Sequence, residues 1–110
     1  MEILKRKEKD ALVISIRGRL DAVTTPLLDK DLTELMAGGE KFVVLNLRDL
    51  DYISSAGLRT ILAATKKLRE KQGRLHLASL KSVVREVFDI SGFSSIIPVF
   101  ETVDGAVSSR

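Results

Sequence analysis

Leu12, Ile14 and Ile16 alternate with Val13, Ser15 and Arg17, the two-residue period of a half-buried strand. Ahead of it, Ile3 and Leu4 stand in a charged run and Lys9-Asp10 reads as a tight turn. Residues 2–8 are therefore predicted as an antiparallel edge strand in a hairpin, its lysines discouraging sheet-to-sheet association. Thr25-Pro26 reads as a helix start, with Thr25 capping the free amides and Pro26 at the first helical position. Leu28, Leu32, Leu35 and Met36 then recur at helical spacing until Gly38-Gly39. Residues 41–47 form an almost continuous apolar run rich in branched side chains, the pattern of a central strand covered on both faces.

After a loop at 48–55, Leu58, Ile61, Leu62, Thr65 and Leu68 predict a second helix, with Lys66, Lys67, Arg69 and Lys71 in its last turns and Gly73 as its end. A core strand at 74–79 and a helix at 81–90 follow, the helix turning Val83, Val84, Val87 and Phe88 inward and stopping at Gly92. Ile96, Ile97, Val99 and Phe100 predict a last short strand, and residues 102–107 a terminal helical turn. The order β-β-α-β-α-β-α-β, with a closing α, implies an α/β fold: one domain over 1–110 with a mixed sheet of about five strands. Its later strands should be parallel, joined by right-handed crossovers.

Composition narrows the function. At 110 residues, 45% apolar and 30% charged, the chain should bury a real core. With no cysteine it has neither disulfides nor thiolate metal ligands. No stretch nears the ~20 apolar residues that span a bilayer, and residues 1–10 are charged where a signal peptide would turn apolar. A soluble cytoplasmic protein without membrane partners is expected.

The net charge of +3 invites a nucleic-acid reading, but basic and acidic residues interleave, and only Lys5-Arg6-Lys7 and Lys66-Lys67 cluster. Few aromatics and no tryptophan leave little for a base-stacking platform, so direct nucleic-acid binding is not expected. Enzyme readings fare no better. The one histidine, His76, lies between Leu75 and Leu77 inside a strand, a structural position. Metal-ligand clusters and phosphate-cradling Gly-rich motifs are both absent from the sequence, so neither catalytic residues nor a cofactor are expected.

The segment after the central strand is the unusual one. It places Ser54 and Ser55 at a helix amino end, where free amides and the dipole favour an anion, although one serine could simply be an N-cap worth ~1 kcal/mol. Gly57, locally unfavourable in a first turn by up to ~1 kcal/mol against alanine, implies either a close approach to the backbone or tight packing on the sheet. Asp21, after a strand and before a helix start, is locally a turn or capping residue. Asn46, inside an apolar strand, is read as an amide tying down a neighbouring loop.

The run Asp51-Tyr52-Ile53-Ser54-Ser55-Ala56-Gly57-Leu58-Arg59 follows the apolar strand and Gly18-Arg19-Leu20-Asp21 ahead of Thr25-Pro26. Together with residues 85–93 it resembles the anti-sigma factor antagonist family, stand-alone STAS domains. That resemblance implies a non-enzymatic switch. The unmodified protein binds an anti-sigma factor that is also a serine kinase, freeing a sigma factor; phosphorylation of a serine at this helix start ends the complex, and a phosphoserine phosphatase would reset it.

The ATP would belong to the kinase. By the family's register the acceptor is Ser55, with Ser54 as the alternative because it stands where an acidic residue is common. Asp21, Thr24, Thr25, Asp51, Tyr52, Ser54, Ala56, Gly57 and Arg59 are the implied partner-binding positions. A STAS interaction module in another phospho-signalling or scaffold assembly is the competing reading. A phosphoserine adds roughly −1.5 to −2 charges, accommodated at a helix start but costly in a docking surface beside Asp21 or Asp51. Arg59, four residues after Ser55, either pairs with that phosphate or is an ordinary solvated arginine.

Overall fold

The computed structural model describes residues 1–109. Strands β1 (Glu2–Glu8) and β2 (Ala11–Leu20) form the expected antiparallel hairpin, Lys5 opposite Ile14, with Lys9 at φ 56° in the turn. Helix α1 (Thr25–Ala37) leads to β3 (Phe42–Asn46), which lies parallel to the first half of β2. Strand β4 (Leu50–Ile53) continues alongside the second half of β2, also parallel. Helix α2 (Ser55–Glu70), strand β5 (Arg74–Ala78), helix α3 (Ser82–Ser91), strand β6 (Val99–Phe100) and helix α4 (Val103–Ser108) complete the described chain. The mixed six-stranded sheet has the order β1-β2-β3-β5-β6, with β4 off this path beside β2. As expected, β3 is its centre and every later pairing is parallel.

Two cores follow from the pleat of β2 and β3. Leu12, Ile14, Ile16, Val43 and Leu45 face α1, α2 and α3, which contribute Leu28, Leu32, Ile61, Leu68 and Phe88. On the other face Val13, Phe42, Val44 and Ala78 lie under Ala106 and Val107 of α4. Each fully buried Leu, Ile or Phe stabilises the fold by roughly 1.5–3 kcal/mol. His76 is a structural residue: it packs against the Phe42 and Phe100 rings, and its Nδ1 lies 2.9 Å from the Ala106 carbonyl.

Several local expectations are corrected. The segment 48–55 contains β4 and is not a loop; Leu50 and Ile53 are buried while Asp51 and Tyr52 are exposed, so no two-residue alternation marks it. It is built by a register shift in β2 between Gly18 and Arg19. Val83 points outward, 58% exposed, because α3 buries only the stripe of Val84 and Phe88. Ile96 and Ile97 precede the last strand, in a turn closed by the Ile97 amide on the Phe93 carbonyl.

The positive φ after α2 belongs to Gln72, at 63°. Gly73 is required for another reason: a β-carbon there would stand 2.2 Å from the Lys41 carbonyl oxygen. Thr25 does not cap α1. It is the first helical residue, its hydroxyl buried without a partner, and Thr24 holds the cap position without a side-chain cap bond.

Candidate functional site

The end of β4 and the start of α2 are joined through Ser54, which stays extended at φ −88°, ψ 171°. Its amide donates to the Leu20 carbonyl at 2.8 Å, stitching the junction to the end of β2. Its carbonyl accepts from the Leu58 amide at 3.0 Å, and its Oγ accepts from the Gly57 amide at 3.3 Å. Ser54 is thus the N-cap, satisfying one of the amides that the first turn leaves free. Ser55, the first helical residue, is exposed. Ala56 is half-buried, and Arg59 is exposed one turn further along.

Gly57 is explained by packing. A β-carbon there would stand 2.9 Å from Ile53 Cγ1 and 3.2 Å from Leu20 Cβ, so the missing side chain lets α2 settle against β4 and β2.

Because Ser54 bonds to Leu20, the turn beginning at Asp21 lies beside the start of α2. The Asp21 carboxylate is turned into its own loop, accepting from the Val23 and Thr24 amides at 3.0 Å each. Thr24 Oγ1 donates to the Arg19 carbonyl at 2.7 Å and accepts from the Asp21 amide at 3.0 Å. The Thr24 amide bond, chiefly, with help from Val23, the Thr24 hydroxyl and Arg19, holds the Asp21 carboxyl below its ordinary range. The braced loop presents Val23, 82% exposed, and Leu27 of α1, 56% exposed.

On β4, Asp51 is ion-paired with Lys81, the residue preceding α3, and Arg19 stacks its guanidinium 4.3 Å from the centre of the Tyr52 ring. Of the sequence-derived positions, Asp21, Thr24, Asp51, Tyr52, Ser54, Ser55, Ala56 and Arg59 therefore gather at one end of the sheet. Thr25 and Gly57 belong to the same end but are buried and offer no exposed side chain.

The STAS domain family model matches residues 2–106. The chain belongs to the STAS domain family. Among its relatives is a candidate anti-sigma factor antagonist, BtrV, of Bordetella bronchiseptica, 42% identical over 109 residues, spanning 99% of this chain and 94% of the relative. The fold is shared with the crystal structure of an anti-sigma factor antagonist from Mycobacterium paratuberculosis, at TM-score 0.91 and 23% identity, covering 98% of this chain and 92% of that one. It is shared also with the Bacillus cell fate determinant SpoIIAA in its phosphorylated form, at TM-score 0.76 and 20% identity, covering 96% of each chain.

In this STAS domain, sequence reasoning missed Lys81, Arg19, Val23 and Leu27 as members of the end surface. Arg19 faces Tyr52 only through the β2–β4 register, and Lys81 meets Asp51 from 30 residues away in sequence. Val23 and Leu27 carried a usable signal, two apolar residues flanking a helix start. Asn46 does what its sequence position implies: its Oδ1 accepts from the Arg48 amide at 3.3 Å, and its Nδ2 donates to Ser15 Oγ at 3.1 Å. No group of three or more His, Cys, Asp or Glu among the described residues could hold a metal ion. Nor is any described helix long and apolar enough to cross a membrane.

Proposed function

We propose that this chain is an anti-sigma factor antagonist whose docking surface is the end of the sheet around the start of α2, and that phosphorylation of Ser55 switches it off. The observation that carries the choice of serine is the division of labour between neighbours. Ser54 is half-buried and its oxygen is engaged with the Gly57 amide, whereas Ser55 presents an exposed hydroxyl. A kinase reaches the second without dismantling the cap.

The partner in this reading is an anti-sigma factor with serine-kinase activity, and a phosphoserine phosphatase restores the unmodified form. A phosphate on Ser55 would sit at the positive end of the α2 dipole, so the fold tolerates it and the effect falls on the partner. The solved phosphorylated form of SpoIIAA, with the same fold, is consistent with that tolerance. Asp51 adds less repulsion than the sequence implies, because Lys81 partners it. The main cost is desolvating a dianion in the interface; about 3 kcal/mol would weaken binding over 100-fold. Arg59, exposed four residues after Ser55, would pair with the phosphate from the same helix face.

The test is to incubate the chain with ATP and a lysate of its host, then map phosphate by peptide mass spectrometry, with Ser54→Ala and Ser55→Ala alongside. One phosphate on Ser55, lost in Ser55→Ala and retained in Ser54→Ala, is expected. Modification confined to Ser54 overturns the assignment. Capture on the unmodified chain should return a kinase that itself binds a sigma factor; a kinase-bearing assembly without one would make this a STAS module of another signalling pathway.

A further inference from the structure

The sheet face turned away from α1, α2 and α3 is only partly covered. α4 seats Ala106 and Val107 over β3 and β5. Between its start and the sheet a groove of about 360 Å³ stays open, at the carboxyl ends of β3 and β5. Arg6 of β1, Asn46 of β3, Arg48, Ser79, Thr102 and Asp104 line it. Its volume lies near the lower end of small-molecule clefts, and the carboxyl ends of parallel strands are where open α/β sheets hold ligands.

The groove's charges are poised for an oxyanion. Asn46, bonded on both sides, fixes the Arg48 backbone, while the exposed Arg48 guanidinium joins none of the ion pairs among the described residues. Among the described residues Arg6 pairs only with Glu8, at 3.1 Å with both groups solvated, a contact worth little and easily exchanged. Two guanidiniums from different elements thus face one cavity, the donor arrangement that suits phosphate. Thr102 Oγ1 accepts from the Gly105 amide at 3.0 Å, leaving its own proton free to donate. Asp104 lines the same groove and makes it bipolar, adding a carboxylate to the two arginines.

We propose that this groove binds a small phosphate monoester carrying an ammonium group, the phosphate held by Arg6 and Arg48 and the cation by Asp104. The site lies on the opposite sheet face from α2, so the inference does not rest on the reading of Ser55.

The test is amide NMR of the full chain at fixed ionic strength, titrated with inorganic phosphate and separately with phosphoethanolamine. Saturable shifts at the Asn46, Arg48 and Ser79 amides are expected with both probes, phosphoethanolamine binding about tenfold tighter, the weight of one charged hydrogen bond. Arg48→Gln should weaken both by about tenfold or more, and Asp104→Asn should remove only the preference for phosphoethanolamine. Both side chains are exposed, so the variants should keep the wild-type spectrum elsewhere. Equal affinity for the two probes would overturn the bipolar assignment. Shifts that centre on Lys66 and Lys67 or on residues 55–57, or that survive Arg48→Gln, would overturn the site.

Discussion

Replacing Gly57 by alanine puts the construction of the switch surface to the test. An alanine in a helix gains up to about 1 kcal/mol over glycine from propensity alone, so an open site would be stabilised. Here the added carbon would stand 2.9 Å from Ile53 Cγ1 and 3.2 Å from Leu20 Cβ. Ile53 is only 4% exposed and has little room to swing aside, and Leu20 Cβ is fixed to the backbone of β2. Overpacking costs about 1–3 kcal/mol, and with neither neighbour able to yield the cost here is about 2–3 kcal/mol, which exceeds the propensity gain and leaves a net loss of about 1–2 kcal/mol.

For a domain of this size that loss lowers Tm by about 5–15 °C and shifts the urea midpoint with an unchanged slope. A double-mutant cycle isolates the cause: in an Ile53→Ala background the same glycine substitution should cost about 1 kcal/mol less. A Tm equal to or above wild type, or an identical cost in both backgrounds, would refute the packing argument and return Gly57 to the role of a residue that leaves room for a partner.

Four further outcomes follow from the same contacts. Ser54→Ala should destabilise the fold by about 1 kcal/mol through loss of the cap while Ser55→Ala leaves stability unchanged, as read by urea unfolding. Gly73→Ala should cost at least about 3 kcal/mol, because the clash is with the Lys41 carbonyl, a backbone atom that cannot turn away. Asp21→Ala should speed amide exchange at Val23 and Thr24, whereas Asp21→Asn keeps an acceptor and most of the protection.

The fourth concerns pH. Burial, reinforced by Arg74 and opposed by the Ala106 bond, lowers the His76 pKa below 6.5. The unfolded chain therefore takes up the proton first, so His76 costs nothing above pH 7.5 and progressively destabilises the fold as pH falls through 6.5 toward the folded pKa. Urea midpoints at pH 7.5 and 5.5 should differ, and His76→Gln should flatten the difference. The Asp21 and Asp89 carboxyls, both lowered from 3.8, lose their contribution only as pH falls through that value toward their folded pKa and do not blur this window.

How far the sequence reached can be read element by element. Periodicity was enough for α1 and α2 because each buries one regular face, and for β3 because both its faces are covered; β2 was found as a strand but not as half-buried, since Ala11 and Val13 put the second face of its first half under α4. β4 escaped because its two buried residues are separated by two exposed ones, and only the shifted register of β2 makes it a strand. The two serines show the same limit at the site. Spacing put both at the start of α2, but which hydroxyl is engaged depends on where the helix begins, and that is set by the Ser54 amide reaching Leu20 across the sheet.

Gly57 is the sharpest case. Its cost in a first turn was visible in the sequence, and its reason was not, since Ile53 and Leu20 meet it only after β2, β4 and α2 have packed. By itself the sequence determined the order of every element except β4, the covering of the central strand on both faces and the helix start that bears the serines, all of which follow from local spacing and chain connectivity. The tertiary structure alone decided which polar atoms are already spent on the fold and which remain to meet a partner, because hydrogen bonds and close packing between distant segments exist only once the chain has closed on itself.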